Sequence, residues 1–149
     1  MRRRIVSAAA ACLVALAATL AVPAQASAAG PIKITGVKYD PPGRDTGSNT
    51  SLRAEWVRIK NTGNRAVSLS GWRVRDRAGH VYVFGTYRLP AGERVYVHTG
   101  RGSDTAHHKY WDRDWYVWNN TGDTATLKNR SLTVIDRCKW GNGDGFRRC

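Results

Sequence analysis

Between Glu55 and Asp76 apolar and polar residues alternate with a period of two, and no helical spacing competes with it. EWVRIKNTG puts Val57 and Ile59 on one side of an extended chain and Trp56, Arg58 and Lys60 on the other. Asn61-Thr62-Gly63-Asn64 turns the backbone. In VSLSGWRVRD, Val67 and Leu69 point inward before Ser70-Gly71 bends the chain; Trp72 and Val74 then point inward while Arg73 and Arg75 point out. Strands with one apolar parity must bury that face against a second layer. This segment therefore demands a layered β-structure whose outer surface carries cations.

The rest of the chain extends the pattern. Ile32–Tyr39 reads as a first strand, and Asp40–Leu52 as a long polar loop. Val81–Phe84 offers Tyr82 and Phe84 as a buried pair; LPAG turns the chain, and Val95 and Val97 form the next inward face. Gly100–Asp114 reads as a second polar loop, Trp118 opens the last third, Ala125 and Leu127 point in, and Leu132–Asp136 closes the series. Short strands at this spacing without a helix signal predict an all-β, immunoglobulin-like β-sandwich.

The first residues have another purpose. MRRR, an apolar run over Ile5–Val22, Pro23 and the small-residue patterns AQA and ASA read as a signal peptide over residues 1–28. The run is long enough to anchor in a bilayer, but its Ala-rich composition and the cleavage patterns after it favour removal near Ala26 or Ala28. A secreted, extracellular protein is expected, with one domain over residues 29–149 and no transmembrane segment in it. Cys12 leaves with the leader, and Cys138 and Cys149 remain as the expected disulfide. Two thiolates without a neighbouring His or a second pair make a poor zinc site. Loss of Arg2, Arg3 and Arg4 lowers the formal charge from +13 to +10. That excess attracts polyanions such as nucleic acid, anionic cell-wall polymers or acidic lipid surfaces, and it equally serves solubility.

The ordered set EWVRIKNTG, VSLSGWRVRD, YVF with LPAG, and VWNNTGDTATL with VID resembles the lamin tail domain, an Ig-like module, from Glu55 to Asp136. The resemblance implies that Asn61, Gly63, Asp123, Trp72 and Trp118 serve the scaffold. It implies a binding or structural role, and no catalytic residues are carried over. The tail from Cys138 to Cys149 lies beyond the residues that carry the likeness.

Candidate sites follow from what the scaffold leaves over. Arg58, Lys60, Arg73 and Arg75 would share one face if their strands lie in one sheet, with Arg65 and Arg77 at the ends and Trp56 available for stacking. Such a face suits polyanions, nucleic acid or an anionic envelope polymer, and also a solvated, aggregation-resistant surface. Tyr110, Trp111, Trp115 and Tyr116 form either an aromatic rim for ligands or a cover over the sandwich end. His107 and His108 with Asp112 or Asp114 make a weak metal set, since adjacent strand residues face opposite ways. Gly141–Gly145 lacks the spaced carboxylates of a calcium loop. No cofactor and no catalytic motif is expected. A monomeric, non-catalytic binding module is the reading, with a protein-interaction domain as the alternative and a small hydrolase using His98 or His107 as the weakest.

Overall fold

The computed structural model describes residues 30–149. The expected leader, its cleavage points and Cys12 lie outside the described residues.

The strands are β1 (Ile32–Lys38), β2 (Trp56–Asn61), β3 (Val67–Ser68), β4 (Arg73–Arg75), β5 (Val81–Val83), β6 (Arg88–Leu89), β7 (Arg94–His98), β8 (His108–Tyr110), β9 (Asp123–Lys128), β10 (Val134–Trp140) and β11 (Phe146–Arg148). A five-stranded sheet runs β11-β1-β2-β7-β8 and a four-stranded sheet runs β10-β9-β4-β5, while β3 and β6 form a small ribbon. All pairings are antiparallel except β7 with β8. Two sheets enclosing one apolar layer give the Ig-like β-sandwich that the alternation required.

The inward parity fills that layer. Val57 and Ile59 of β2, Val95 and Val97 of β7, Val74 of β4, and Ala125 and Leu127 of β9 are all fully buried. Each aliphatic side chain taken from water stabilises the fold by roughly 1.5–3 kcal/mol, before chain entropy is counted. Phe84 and Trp118 are buried too, while Trp72 is half-buried against the same cluster. Glu55, at the start of β2, is the buried exception. Its carboxylate accepts the backbone N–H groups of Val117 at 3.1 Å and Trp118 at 3.0 Å and the Thr99 hydroxyl, tying β2 to the approach to β9.

Three segments depart from the sequence reading. The polar loop 40–52 contains a short helix, α1 (Asn49–Ala54), capped by Ser48, whose side chain accepts the Ser51 N–H, and anchored by buried Leu52. With one apolar anchor in six residues, the helix has no periodicity to read. The second polar loop contains β8, which joins the sheet edge through parallel pairing with β7. Leu132 does not open the last strand. It sits in the turn between β9 and β10 at φ 65° and is exposed, so β10 starts at Val134 and runs on to Trp140.

The tail is an integral strand. β11 pairs with β1, placing Gly36 opposite Arg148 and Lys38 opposite Phe146. The Cys138–Cys149 disulfide is formed, with Cα atoms 5.6 Å apart, and it links β10 of one sheet to the end of β11 in the other. Gly145 makes the return possible. At φ 84° its carbonyl accepts the N–H groups of Tyr39 and Asp40, and a Cβ there would fall 2.0 Å from the Asp40 carbonyl oxygen.

Candidate functional site

The expected single row of Arg58, Lys60, Arg73 and Arg75 does not exist. Arg58 and Lys60 lie on β2 in the five-stranded sheet, whereas Arg73 and Arg75 lie on β4 in the four-stranded sheet. The chain leaves the five-stranded sheet after β2, passes through the β3–β6 ribbon and enters the four-stranded sheet at β4, so residues close in sequence end on opposite outer surfaces of the sandwich. Each pair instead finds new cationic neighbours on its own sheet.

On the five-stranded sheet, register sets Lys33 opposite Lys60 and Lys60 opposite Arg94. Arg148 stands opposite Gly36, which is opposite Arg58. Thr35, Arg58, Lys60, Arg94, Arg148 and Cys149 line a depression of about 390 Å³. Arg58 is held in place: its Nε donates to Thr35 Oγ1 at 3.0 Å, its Nη2 donates to the Thr35 carbonyl at 2.9 Å, and its guanidinium lies 5.9 Å from the Trp56 ring. The register shift between Ile34 and Gly36 turns Thr35 toward it. Glycine at 36 leaves the room, since a Cβ there would sit 3.2 Å from Arg58 Nη2 and 3.0 Å from the Phe146 ring.

An aromatic band borders these cations. Trp56 packs edge-on against Tyr96 at 5.0 Å and tilts against Phe146 at 5.9 Å. Tyr96 stacks on His108, and His98 stacks on Tyr110, with centroids 5.4 and 5.1 Å apart. Arg53 lies over the Tyr110 ring. Trp56 is thus engaged by Tyr96, Phe146 and Arg58 rather than standing apart from the band. His98 Nδ1 donates to the Arg53 carbonyl at 2.7 Å, leaving Nε2 to accept from His108 Nδ1 at 2.9 Å. Burial holds the His98 pKa below its ordinary value, and the nearby His108 and Arg53 act in the same direction against the Arg53 carbonyl. Thr50, Arg53, His98, His108 and Tyr110 border a second depression of about 470 Å³.

The outer surface of the four-stranded sheet is also basic. Arg73 stands directly opposite Lys128, and Arg75 and Arg137 both flank Thr126, with Lys139 one pair further along. Val81 and Val83 complete it at the β5 edge. Among the described residues the ion pairs join His80 to Asp76, Arg101 to Asp114, His107 to Glu93 and Lys109 to Asp104. None of the cations on either sheet surface is in that set.

The remaining candidates scatter. Arg65 is exposed in the turn after β2, and Arg77 follows β4, where its side chain donates to the Gly122 carbonyl at 3.4 Å. Of the aromatic rim, Trp111 packs on Tyr82 and Trp118 as a cover over the sandwich end. Tyr116 contacts Ser51 and the Gly47 N–H, and Trp115 is exposed beside it. Only Tyr110 joins the sheet surface. His107 and His108 diverge as alternation requires: His107 Nδ1 faces the Arg94 carbonyl, and Asp114 is engaged by Arg101. Among the described residues no three His, Cys, Asp or Glu side chains gather to hold a metal. Sequence reasoning missed Lys33, Arg94 and Arg148, and Lys128, Arg137 and Lys139 on the other side. Their outward parity was readable; the strand order that groups them was not.

A sandwich fastened by turn-forming side chains, with cations on its outer faces, defines an Ig-like domain. Asp123 fits that class, accepting the N–H groups of Arg77, Asn119 and Thr124 to hold a turn. The profile of the Lamin Tail Domain family matches residues 25–142, and the chain belongs to that family. The family is one of Ig-like binding or structural domains. No curated protein matches the chain.

Proposed function

We propose that this protein is an exported module that binds phosphate-bearing polyanions through the outer surface of its five-stranded sheet. The observation that carries the reading is the run Lys33–Lys60–Arg94 on three adjacent strands, beside Arg58 and Arg148, with no carboxylate partner among the described residues. Like charges directly opposite one another destabilise a sheet by up to about 1 kcal/mol a pair. Edge protection does not account for them, because β2 is the middle strand of its sheet. The leader-like segment at residues 1–28 supports action outside the cell.

The mutual packing of the aromatic rings argues against intercalation or base stacking and for contact with the charged backbone alone. Binding is therefore sequence-independent. With three to four phosphates neutralised, affinity for duplex DNA should fall with a log–log salt slope of roughly −3. Fluorescence titrations with duplex DNA and with poly(glycerol phosphate), run from about 50 to about 200 mM salt, test this. Binding of neither polymer at the low end overturns the proposal. Binding of a protein partner that survives about 0.5 M salt would instead favour the interaction-domain alternative.

A further inference from the structure

We infer that the protein is bivalent: the outer surface of the four-stranded sheet is a second docking surface, for a second segment of duplex DNA, so that one copy bridges two duplexes. This rests on the binding proposed for the five-stranded sheet and goes beyond it. The second surface is cationic along its outward parity. Arg73 and Arg75 come from β4, Lys128 from β9, and Arg137 and Lys139 from β10. The other outward positions of these strands and of β5 are Thr124, Thr126, Val134, Val81 and Val83, so no carboxylate interrupts the row. Asp136 is the nearest acidic residue in the sequence of β10, and it turns toward the other sheet, where its carboxylate accepts the Ile34 N–H at 2.9 Å. Arg73 directly opposes Lys128, an arrangement that disfavours folding and is relieved by an anion lying across both. β4 and β9 are the inner strands of their sheet, so Arg73, Arg75 and Lys128 are not guarding an edge, whereas Arg137 and Lys139 lie on the edge strand β10.

Geometry allows both surfaces to be occupied together. Stacked sheets are about 10 Å apart, and outward Arg and Lys side chains add several ångströms on each side, so the bound backbones stand roughly 20 Å apart. At physiological salt the Debye length is about 8 Å, so the solvent around the sandwich screens much of the repulsion between the two polyanions. Duplex DNA is the occupant best matched to such a surface. Its backbone places one negative charge about every 1.7 Å of axis, and the outward cations of β4, β9 and β10 can follow it without reading bases.

The test is a two-duplex capture. A short biotinylated duplex is immobilised and loaded with the protein at about 50 mM salt, and a fluorescent second duplex is then added. The wild-type protein should retain the second duplex, and excess free DNA should abolish that retention by saturating both surfaces separately. Arg58→Gln/Lys60→Gln/Arg94→Gln and Arg73→Gln/Arg75→Gln/Arg137→Gln variants should each still load on the first duplex yet lose at least about tenfold of second-duplex capture. Wild-type protein that loads but captures no second duplex overturns bivalency alone. Failure to load overturns bivalency toward duplex DNA, while the binding proposed for the five-stranded sheet falls only if poly(glycerol phosphate) is not bound either. Undiminished capture by both variants, or a dimer seen by sedimentation without DNA, also overturns bivalency, since one surface per copy would then suffice. Thermal melting of each variant verifies the fold, and the wild-type arm stands without them.

Discussion

The two outer surfaces of the sandwich are both cationic, and they differ in how firmly the cations are held. On the five-stranded sheet, Arg58 is fixed by two hydrogen bonds to Thr35, rests on Trp56, and borders a depression shared with Lys60, Arg94 and Arg148. On the four-stranded sheet, Arg75, Arg137 and Lys139 are exposed, and the row alternates with Thr and Val. A guanidinium already ordered loses less entropy on meeting a phosphate than a free one, by roughly 0.5–1.5 kcal/mol per immobilised side chain. Equal charge therefore does not mean equal affinity. The five-stranded sheet should bind first and more tightly, and the four-stranded sheet should follow at higher ligand concentration.

Charge reversal breaks this comparison most directly. Arg58→Glu with Lys60→Glu should lower affinity for a single duplex by about a hundredfold at low salt, against about tenfold for Arg73→Glu with Arg75→Glu, as read by fluorescence anisotropy. Equal losses would mean that net charge alone governs binding. Both double variants should melt within a few degrees of wild type, because exposed substitutions away from the core cost little. Opening the Cys138–Cys149 bond should come next. Cys149→Ser releases the end of β11, which carries Arg148 and Phe146, and removes a closure of the unfolded chain worth about 2.5–3 kcal/mol for an eleven-residue separation. The expected result is a lower melting temperature together with a severalfold loss of binding on the five-stranded side only.

The difference between the surfaces also shows what the sequence could carry. Alternation in Glu55–Asp76 was enough to assign Val57, Ile59, Leu69 and Val74 to the core, because each is set by parity within its own strand. The same reading grouped Arg58 with Arg73 through closeness in sequence, and the passage from β2 through the β3–β6 ribbon to β4 separated them. Which strand lies beside which is a property of long-range pairing, and that is why Lys33 and Arg148, at opposite ends of the described chain, went unlinked to Lys60 and Arg58. Helix α1 was hidden for a different reason: a single Leu52 anchor gives no period. The disulfide was legible from the cysteine count and the expected export, but its role in joining the two sheets required the position of β11.

Thr35→Val sharpens the comparison without changing charge. It removes the Oγ1 acceptor of Arg58 Nε while leaving the carbonyl contact, so the guanidinium gains freedom. Duplex affinity of the five-stranded surface should fall about threefold, with the four-stranded surface untouched, as measured in the background of the Arg73→Gln/Arg75→Gln variant. An unchanged affinity would mean that ordering of Arg58 contributes nothing.

The smallest expected effect is pH dependence confined to one surface. His98 faces His108, Tyr96 and Tyr110 on the sheet and Arg53 at the end of α1; no carboxylate pairs with it among the described residues. Burial, His108 and Arg53 disfavour its charged form, so it takes up its proton at lower pH than an ordinary histidine. A bound phosphate backbone favours that proton, and by linkage the proton favours binding. Affinity on the five-stranded side should therefore rise as pH falls below about 6.5, by a fewfold rather than by decades, because one proton on His98 is added beside several fixed cations. For folding alone the sign is opposite. A histidine whose pKa is lowered in the fold takes up its proton more readily when unfolded, so acidification through that range weakens the free protein while strengthening the complex. His98→Gln should flatten the pH dependence of binding on this surface and leave the four-stranded surface as it was. A wild-type affinity that stays level from pH 7.5 to 5 would remove the histidine pair from the binding surface and leave its arginines and lysines to act alone.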